Sequence, residues 1–451
     1  MATVAEGLMV GQESVAGGGV VPEPSKLVYV ILDGLGDDPV EPFGGRTPLE
    51  AARTPQLDAL AAGGVNGSVT TVGEGIAPES DIAVFAVLGY DPYKHHTGRG
   101  PVEAIGADLE VRDGDLAYRV NFATVSQSSG GWDIVDRRVG RNLSSQEAKA
   151  LADEVQEEVS VEGASFDFRA TVGHRGVLVL RSDDGPLSAQ VENSDPAYGR
   201  EGLLGVALEV FDEKVVRVTP LEGYDTEEAR RAADITNRWL RAAFEVMDRS
   251  EVNERRRKRG DMPGNFVLTR DGGDHVPKLP SFADTFGINM GCFVEMPVEI
   301  GIARLTAMGE IEAPTDLPPG EQYEQWAALA LESLDDYDGL YVHIKGPDVP
   351  AHDGDHDAKL ESIEAIDAHF FEPLLKKLDL ETTVVAVTAD HSTSCARKAH
   401  TDGPVPLVIA GRGVTSDSVK SYGERAAEDG VLGALLGVEI MPRLVDLVSA
   451  G

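Results

Sequence analysis

The sequence predicts an α/β fold: a mostly parallel sheet with helices on both faces, and a second, smaller α/β domain inserted into the chain. Three observations predict it. Short apolar runs end repeatedly in loops rich in Asp and Gly, helix-like stretches separate those runs, and the middle of the chain has a different texture. In chain order, the run 27–31 ends at Asp33-Gly34 and reads as a buried parallel strand. Residues 54–62 read as a helix, and residues 82–88 form another behind Ser80. From about 93 to 274 come strand-like segments at 176–180 and 214–218 and a long helical stretch over 226–259. The first pattern then returns: helix over 321–334, strand over 340–344 running into Lys345-Gly346-Pro347-Asp348, helix over 358–378, and strand over 383–387 running into Asp390-His391. A last strand, 407–409, runs into Gly411. The expected division is a flexible leader over 1–25, a discontinuous larger domain of 26–92 and 275–451, and an inserted domain of 93–274.

At 451 residues the chain is too long for one ordinary core, and 42% apolar with 26% charged residues describes a soluble globular protein. No apolar run reaches membrane-spanning length, and the leader lacks the basic start and apolar run of a signal peptide, so a cytoplasmic protein is expected. The formal charge of -37 argues against nucleic acid and anionic membranes as partners. The run Arg255 to Arg259 reads as a cationic helix C-terminus. Two cysteines, Cys292 and Cys395, are too few for a disulfide framework. Oligomeric state is not legible.

Seven residues in four segments, Asp33, Ser80, Asp348, His352, Asp390, His391 and His400, could hold two metal ions around one serine. An alkoxide nucleophile needs a Lewis acid beside it at neutral pH, and a phosphoryl group in transfer needs its oxygens neutralised. The set points to phosphoryl transfer through a phosphoserine. Mixed imidazole and carboxylate donors suit Mn²⁺ first, with Zn²⁺, Co²⁺ or Mg²⁺ as alternatives. Taken singly, each residue also has a structural reading: Asp33 and Asp348 as turn residues, His352 and His400 as hydrogen-bonded histidines, and Ser80 as the N-cap of the helix after it.

The chain resembles the archaeal type of cofactor-independent phosphoglycerate mutase, a branch of the alkaline phosphatase superfamily, from about residue 28 to 446. The resemblance is carried by Asp33-Gly34-Leu35-Gly36-Asp37, Arg46-Thr47-Pro48-Leu49, Leu88-Gly89-Tyr90-Asp91-Pro92, Thr97-Gly98-Arg99-Gly100-Pro101, Asp136-Arg137-Arg138, His352-Asp353-Gly354-Asp355 and Thr388-Ala389-Asp390-His391.

The resemblance implies an alkaline-phosphatase-like sheet domain. One metal would be held by Asp33, Ser80, Asp390 and His391, and the other by Asp348, His352 and His400. Ser80 would be the nucleophile, interconverting 3-phosphoglycerate and 2-phosphoglycerate with no need of 2,3-bisphosphoglycerate. The partner is then a small anionic phosphorylated substrate, clamped by Arg137, Arg138, Arg141, His174, Arg175 and Arg270, since guanidinium pairs with carboxylate and phosphate. Three positions depart from the family pattern: Glu79 where Gly usually precedes the serine, Val84 where a His usually follows it, and Glu299 near a usual Lys. Rival readings are a metal-dependent phosphomonoesterase, a mutase on a related phosphonate or sugar phosphate, and a catalytically silent metal-binding protein.

Overall fold

A computed structural model describes residues 25–449 except 202, 203 and 209. The expected leader lies almost wholly outside the described residues. The larger sheet has eight strands in the spatial order Gly309–Glu310, Met290–Phe293, Gly339–Ile344, Lys26–Leu32, Thr383–Thr388, Val405–Gly411, Val65–Thr70 and Gly433–Leu436. The first five are mutually parallel. Lys26–Leu32 sits at the centre, with Leu32 opposite Ile344 and Ile31 opposite Thr388. Its side chains are buried on both faces, which is why the run carries no polar alternation.

One expectation is corrected here. The strand Val405–Gly411 is antiparallel to Thr383–Thr388, not another parallel strand. The connection between them forms only the small hairpin Ser392–Ser394 with Ala399–Thr401, and without a crossover helix the chain must return in the opposite sense. The predicted helices are present as Pro55–Gly63, Pro319–Ser333 and His356–Ile366, the last continuing through a wider π turn at Asp367–Phe371.

Residues of the middle segment build a second sheet that is antiparallel throughout. The long strand Leu116–Ser128 pairs with Arg175–Ser182, Phe266–Gly273 and Gly131–Asp136, and Ala164–Ala170 joins beyond Arg175–Ser182. Residues 214–218 form no strand; Lys214 makes a single bridge to Asp133. The helical stretch divides into Glu227–Asp248 and Glu251–Arg259, because the Ser250 hydroxyl caps the second helix by accepting from the Val252 N–H. The first helix turns Ala229, Ala232, Ala233, Thr236, Trp239, Leu240, Ala243 and Met247 inward at three- and four-residue spacing. Trp239 packs edge-on against Phe166 and Phe168. The run of basic residues is not simply a solvated helix end, since Arg256 is fully buried and holds Asn142, Glu147 and the Met262 carbonyl.

The apolar core under the larger sheet and that under the smaller one are separate clusters. The helix Arg99–Gly106 packs on both sheets: Val102 belongs to the larger cluster, whereas Ala104 packs with Ala117, Val177 and Val179 in a third, small cluster on the second sheet. It crosses Pro297–Leu305 at closest approach, where a Cβ on Gly301 would lie 2.0 Å from the Val102 carbonyl oxygen. Gly301→Ala should therefore separate the two helices and cost about 1–3 kcal/mol by overpacking, read as a lower midpoint in urea unfolding.

Candidate active site

Asp33, Asp348 and Asp390 all follow the carboxyl ends of neighbouring strands, Lys26–Leu32, Gly339–Ile344 and Thr383–Thr388, so parallel pairing alone brings these loops together. The loops then fix one another. The Gly34 N–H donates to Asp390 Oδ1 at 3.1 Å, and Gly34 holds φ 61° where a Cβ would strike Thr393 and Asp348. Ser80 opens the helix Ser80–Val87, with Glu79 at the N-cap position and no side-chain cap bond. The serine hydroxyl is thus not spent on capping, which removes its structural reading. Its Oγ lies 3.4 Å from His391 Nε2.

His391 Nε2 is 3.6 Å from Asp33 Oδ1 and 3.3 Å from Asp390 Oδ2. On the other side of the His391 ring, His400 stacks at 3.7 Å, and its Nε2 lies 3.8 Å from Asp348 Oδ1. His352 Nε2 completes a second group, 3.4 Å from Asp348 Oδ1 and 3.2 Å from His400 Nε2. All seven expected donor residues therefore converge in two adjoining groups. Asp33 Oδ1 and Asp390 Oδ2 are buried without a hydrogen-bond donor, an arrangement that costs free energy unless a cation satisfies both. Carboxylate and imidazole donors converging in this way fit divalent metal ions.

The protonation pattern follows from crowding. Burial alone would raise the Asp33 carboxyl, but Lys345 and a hydrogen bond from His343 outweigh it and hold it well below the usual carboxylate range. Asp390, buried beside the Asp33 charge, is pushed up to about 7. Burial lowers the His391 imidazole and keeps it neutral, the form that binds a metal. His343 and Lys345 were not singled out from the sequence. His343 bridges Asp33 Oδ2 at 2.9 Å and the Tyr341 hydroxyl at 2.7 Å, so both ring nitrogens are occupied and it orients Asp33 from behind.

A cleft of about 350 Å³ opens from Ser80 towards the second sheet. Of the six expected clamp residues, Arg138, Arg141, His174, Arg175 and Arg270 line it. Arg137 does not; it forms a two-point pair with Asp195 at 2.8 Å, stacks on Tyr198 and Phe211, and faces a neighbouring hollow. The bidentate carboxylate geometry that made it a candidate is satisfied within the protein. The cleft also takes Arg99, Arg119 and Asn121, which the sequence reading missed. A signal existed: Arg119 and Asn121 stand two apart, hence on one face, in the otherwise apolar stretch 116–123 of the strand. Burial and the neighbouring guanidiniums of Arg270 and Arg99 push Arg119 down to about 10. Burial together with Arg175 and Arg138 pushes the His174 imidazole down to about 3, so it stays neutral.

A 2,3-bisphosphoglycerate-independent phosphoglycerate mutase of Aeropyrum pernix is 43% identical over 94% of this chain and 100% of its own. The chain belongs to the 2,3-bisphosphoglycerate-independent phosphoglycerate mutase family. The family's sequence profile matches residues 61–253, and a Methanopyrus kandleri member is 39% identical over 94% of this chain and 96% of its own. Among solved structures, a Pyrococcus horikoshii protein superposes with a TM-score of 0.76 at 30% identity, covering 95% of this chain and 98% of that one. The cofactor-independent phosphoglycerate mutase of Thermoplasma acidophilum gives 0.62 at 32% identity, covering 94% and 100%.

The departures from the family pattern are accommodated locally. Glu79 accepts from Arg99 at 2.9 Å and lies 3.7 Å from Arg119, and these cations with His400 outweigh burial and hold it far below the usual carboxylate range. Glu299 is buried beside Lys345 at 3.0 Å, so a cation is supplied from the strand end where the helix lacks one. Val84 is fully buried in the larger core. Asp353 stays exposed and pairs with Arg141 at 2.7 Å, and Asp355 caps the helix His356–Ile366.

Lys359 ties the two innermost loops together. Its fully buried ammonium donates to the Gly36 carbonyl at 2.9 Å, the Thr393 carbonyl at 2.8 Å and Asp37 Oδ2 at 3.1 Å. Lys359→Met would leave Asp37 buried and unpaired, a loss of roughly 3–5 kcal/mol, measurable as a lower unfolding midpoint in urea.

Proposed function

We propose that this protein interconverts 3-phosphoglycerate and 2-phosphoglycerate through a phosphoserine at Ser80, without 2,3-bisphosphoglycerate, as a cytoplasmic step of glycolysis and gluconeogenesis. The carrying observation is the position of Ser80 Oγ, uncapped, between two converging donor groups and a cleft walled by arginines. Among the described residues no helix is long and apolar enough to cross a membrane.

Residues 26–92 and 275–451 would form the metal-binding domain, and residues 93–274 the domain that clamps the substrate. Asp33, Ser80, Asp390 and His391 would hold one divalent ion, and Asp348, His352 and His400 another, with Mn²⁺ the first candidate. Such ions lower the proton affinity of the serine hydroxyl and neutralise phosphoryl oxygens.

The chain's own residues do the rest. Arg138, Arg141, Arg175 and Arg270, joined by Arg99 and Arg119, bind the carboxylate and phosphate of the substrate and orient the ester for in-line attack. A phosphoryl group on Ser80 would sit at the N-terminus of the helix Ser80–Val87, where free amides favour its oxygens. After the phosphoryl group passes to Ser80, the clamp retains glycerate while it reorients and presents its other hydroxyl. Bulk water must stay out during that interval, and the exposed Arg141–Asp353 pair links the arginine wall to the segment that carries His352.

The test is incubation of the wild-type protein with 3-phosphoglycerate and Mn²⁺, following 2-phosphoglycerate and free phosphate together. Formation of 2-phosphoglycerate with little free phosphate is expected; stoichiometric phosphate and no 2-phosphoglycerate would show a phosphatase instead. Ser80→Ala should lower turnover by on the order of 10⁴-fold or more while the protein remains folded, checked in the same coupled assay alongside circular dichroism. Arg175→Ala should lower 2-phosphoglycerate formation and raise the free phosphate released per turnover, with metal content by mass spectrometry unchanged.

A further inference from the structure

The mutase reaction moves a phosphoryl group from O3 to O2 and, in balance, a proton from O2 to O3. When Ser80 takes the phosphoryl group, the departing O3 must gain a proton; when the phosphoserine is attacked, O2 must lose one. One group able to give and then regain a single proton, standing within the closed cleft, suffices for both halves. We propose that Glu295 is that group, the general acid and base that carries the proton between the two substrate hydroxyls. This rests on the mutase reading of the site.

Glu295 follows the carboxyl end of Met290–Phe293, the strand paired directly with Gly339–Ile344, whose own end delivers Lys345 and Asp348. Its side chain lines the same cleft as Ser80 and the clamp arginines. The other titratable groups of that cleft are committed. Asp348, His352 and His400 belong to the converging donor set, and Lys345 is ion-paired with Asp33 and Glu299. Glu79 is held by Arg99 and stays ionised. His174 is kept neutral by the guanidiniums around it. Tyr198 lies under Arg270, whose guanidinium carbon is 3.8 Å from the ring centroid. Glu295 by contrast is half-buried, is held through one neutral contact, the Gln322 Nε2 donating to Oε1 at 3.1 Å, and has no cation in an ion pair with it among the described residues.

The groups facing Glu295 set its proton affinity. Burial and the charge of Glu299 on the adjoining helix raise it, while His343 and Lys345 from the neighbouring strand and the Gln322 hydrogen bond oppose them; the carboxyl is pushed up to about 7. Tyr323, on the same helix as Gln322, keeps its own proton, raised to about 12. A carboxyl raised in this way is protonated below its folded pKa, so the donor form present at the start of the reaction is lost as pH rises through about 7.

The experiment compares wild type and Glu295→Gln, which keeps shape and polarity but cannot pass a proton. Two reactions are read on the metal-loaded enzymes: conversion of 3-phosphoglycerate, whose alkoxide leaves only with a proton, and the burst of nitrophenolate from p-nitrophenyl phosphate, whose leaving group departs without one. The expected result is a fall in the ratio of the first rate to the second by about 10²-fold or more, with KM for 3-phosphoglycerate little changed. The alkaline limb near pH 7 in wild-type kcat/KM should also be missing from the variant. Retention of that ratio within about threefold, or an equal fall in both reactions with loss of bound metal, would overturn the role of Glu295. If wild type forms no 2-phosphoglycerate, the mutase reading fails with it, whereas a failure confined to the variant leaves that reading intact.

Discussion

Two carboxylates with unsatisfied oxygens, Asp33 and Asp390, are buried side by side at the carboxyl ends of adjacent strands, and much of the site is organised to tolerate them. Like charges at that separation cannot both ionise freely in a dry interior, so one is held low and the other is driven up. Lys345, His343 with Tyr341 behind it, and the amide of Gly34 are placed to limit the cost. A divalent cation held by these residues would relieve it more fully and would couple metal binding to the stability of this centre.

The sheet bears the mechanical consequence. Because Lys26–Leu32, Gly339–Ile344 and Thr383–Thr388 are parallel neighbours buried on both faces, their register cannot slip without exposing apolar residues, and the loops above them inherit that precision. Lys359 and Asp37 then fasten the first of these loops to the third. Side chains held this way need little reorganisation when a ligand arrives.

Across the cleft the electrostatics reverse. A protein of formal charge -37 presents an anionic substrate with a wall of guanidiniums. They are stabilised by internal carboxylates, as in the Arg99 pair with Glu103 at 2.6 Å, and Arg119 lies 3.3 Å from the same carboxylate. The helix Arg99–Gly106 carries part of this network while packing on the larger core and on a small apolar cluster of the second sheet, so part of the cleft wall and the joint between the two sheets share one element. Any motion of the second sheet relative to the first would also move the guanidiniums that line the cleft.

The sequence by itself determined the α/β class and the central buried strands, because each has a local signature, an unbroken apolar run such as 27–31, and it marked Asp33, Asp348 and Asp390 as candidate donors because each stands just past the end of such a run. It could not give the antiparallel return of Val405–Gly411, since an apolar run reads the same in either direction and only the length of the connection decides. Nor could it separate Arg137 from Arg138. Adjacent residues on a chain point apart, and whether a guanidinium meets substrate or an internal partner such as Asp195 depends on a segment distant in sequence. Arg99, His343, Lys345 and Glu295 were hidden for the same reason: their chemistry is ordinary until tertiary packing removes water and sets particular charges beside them.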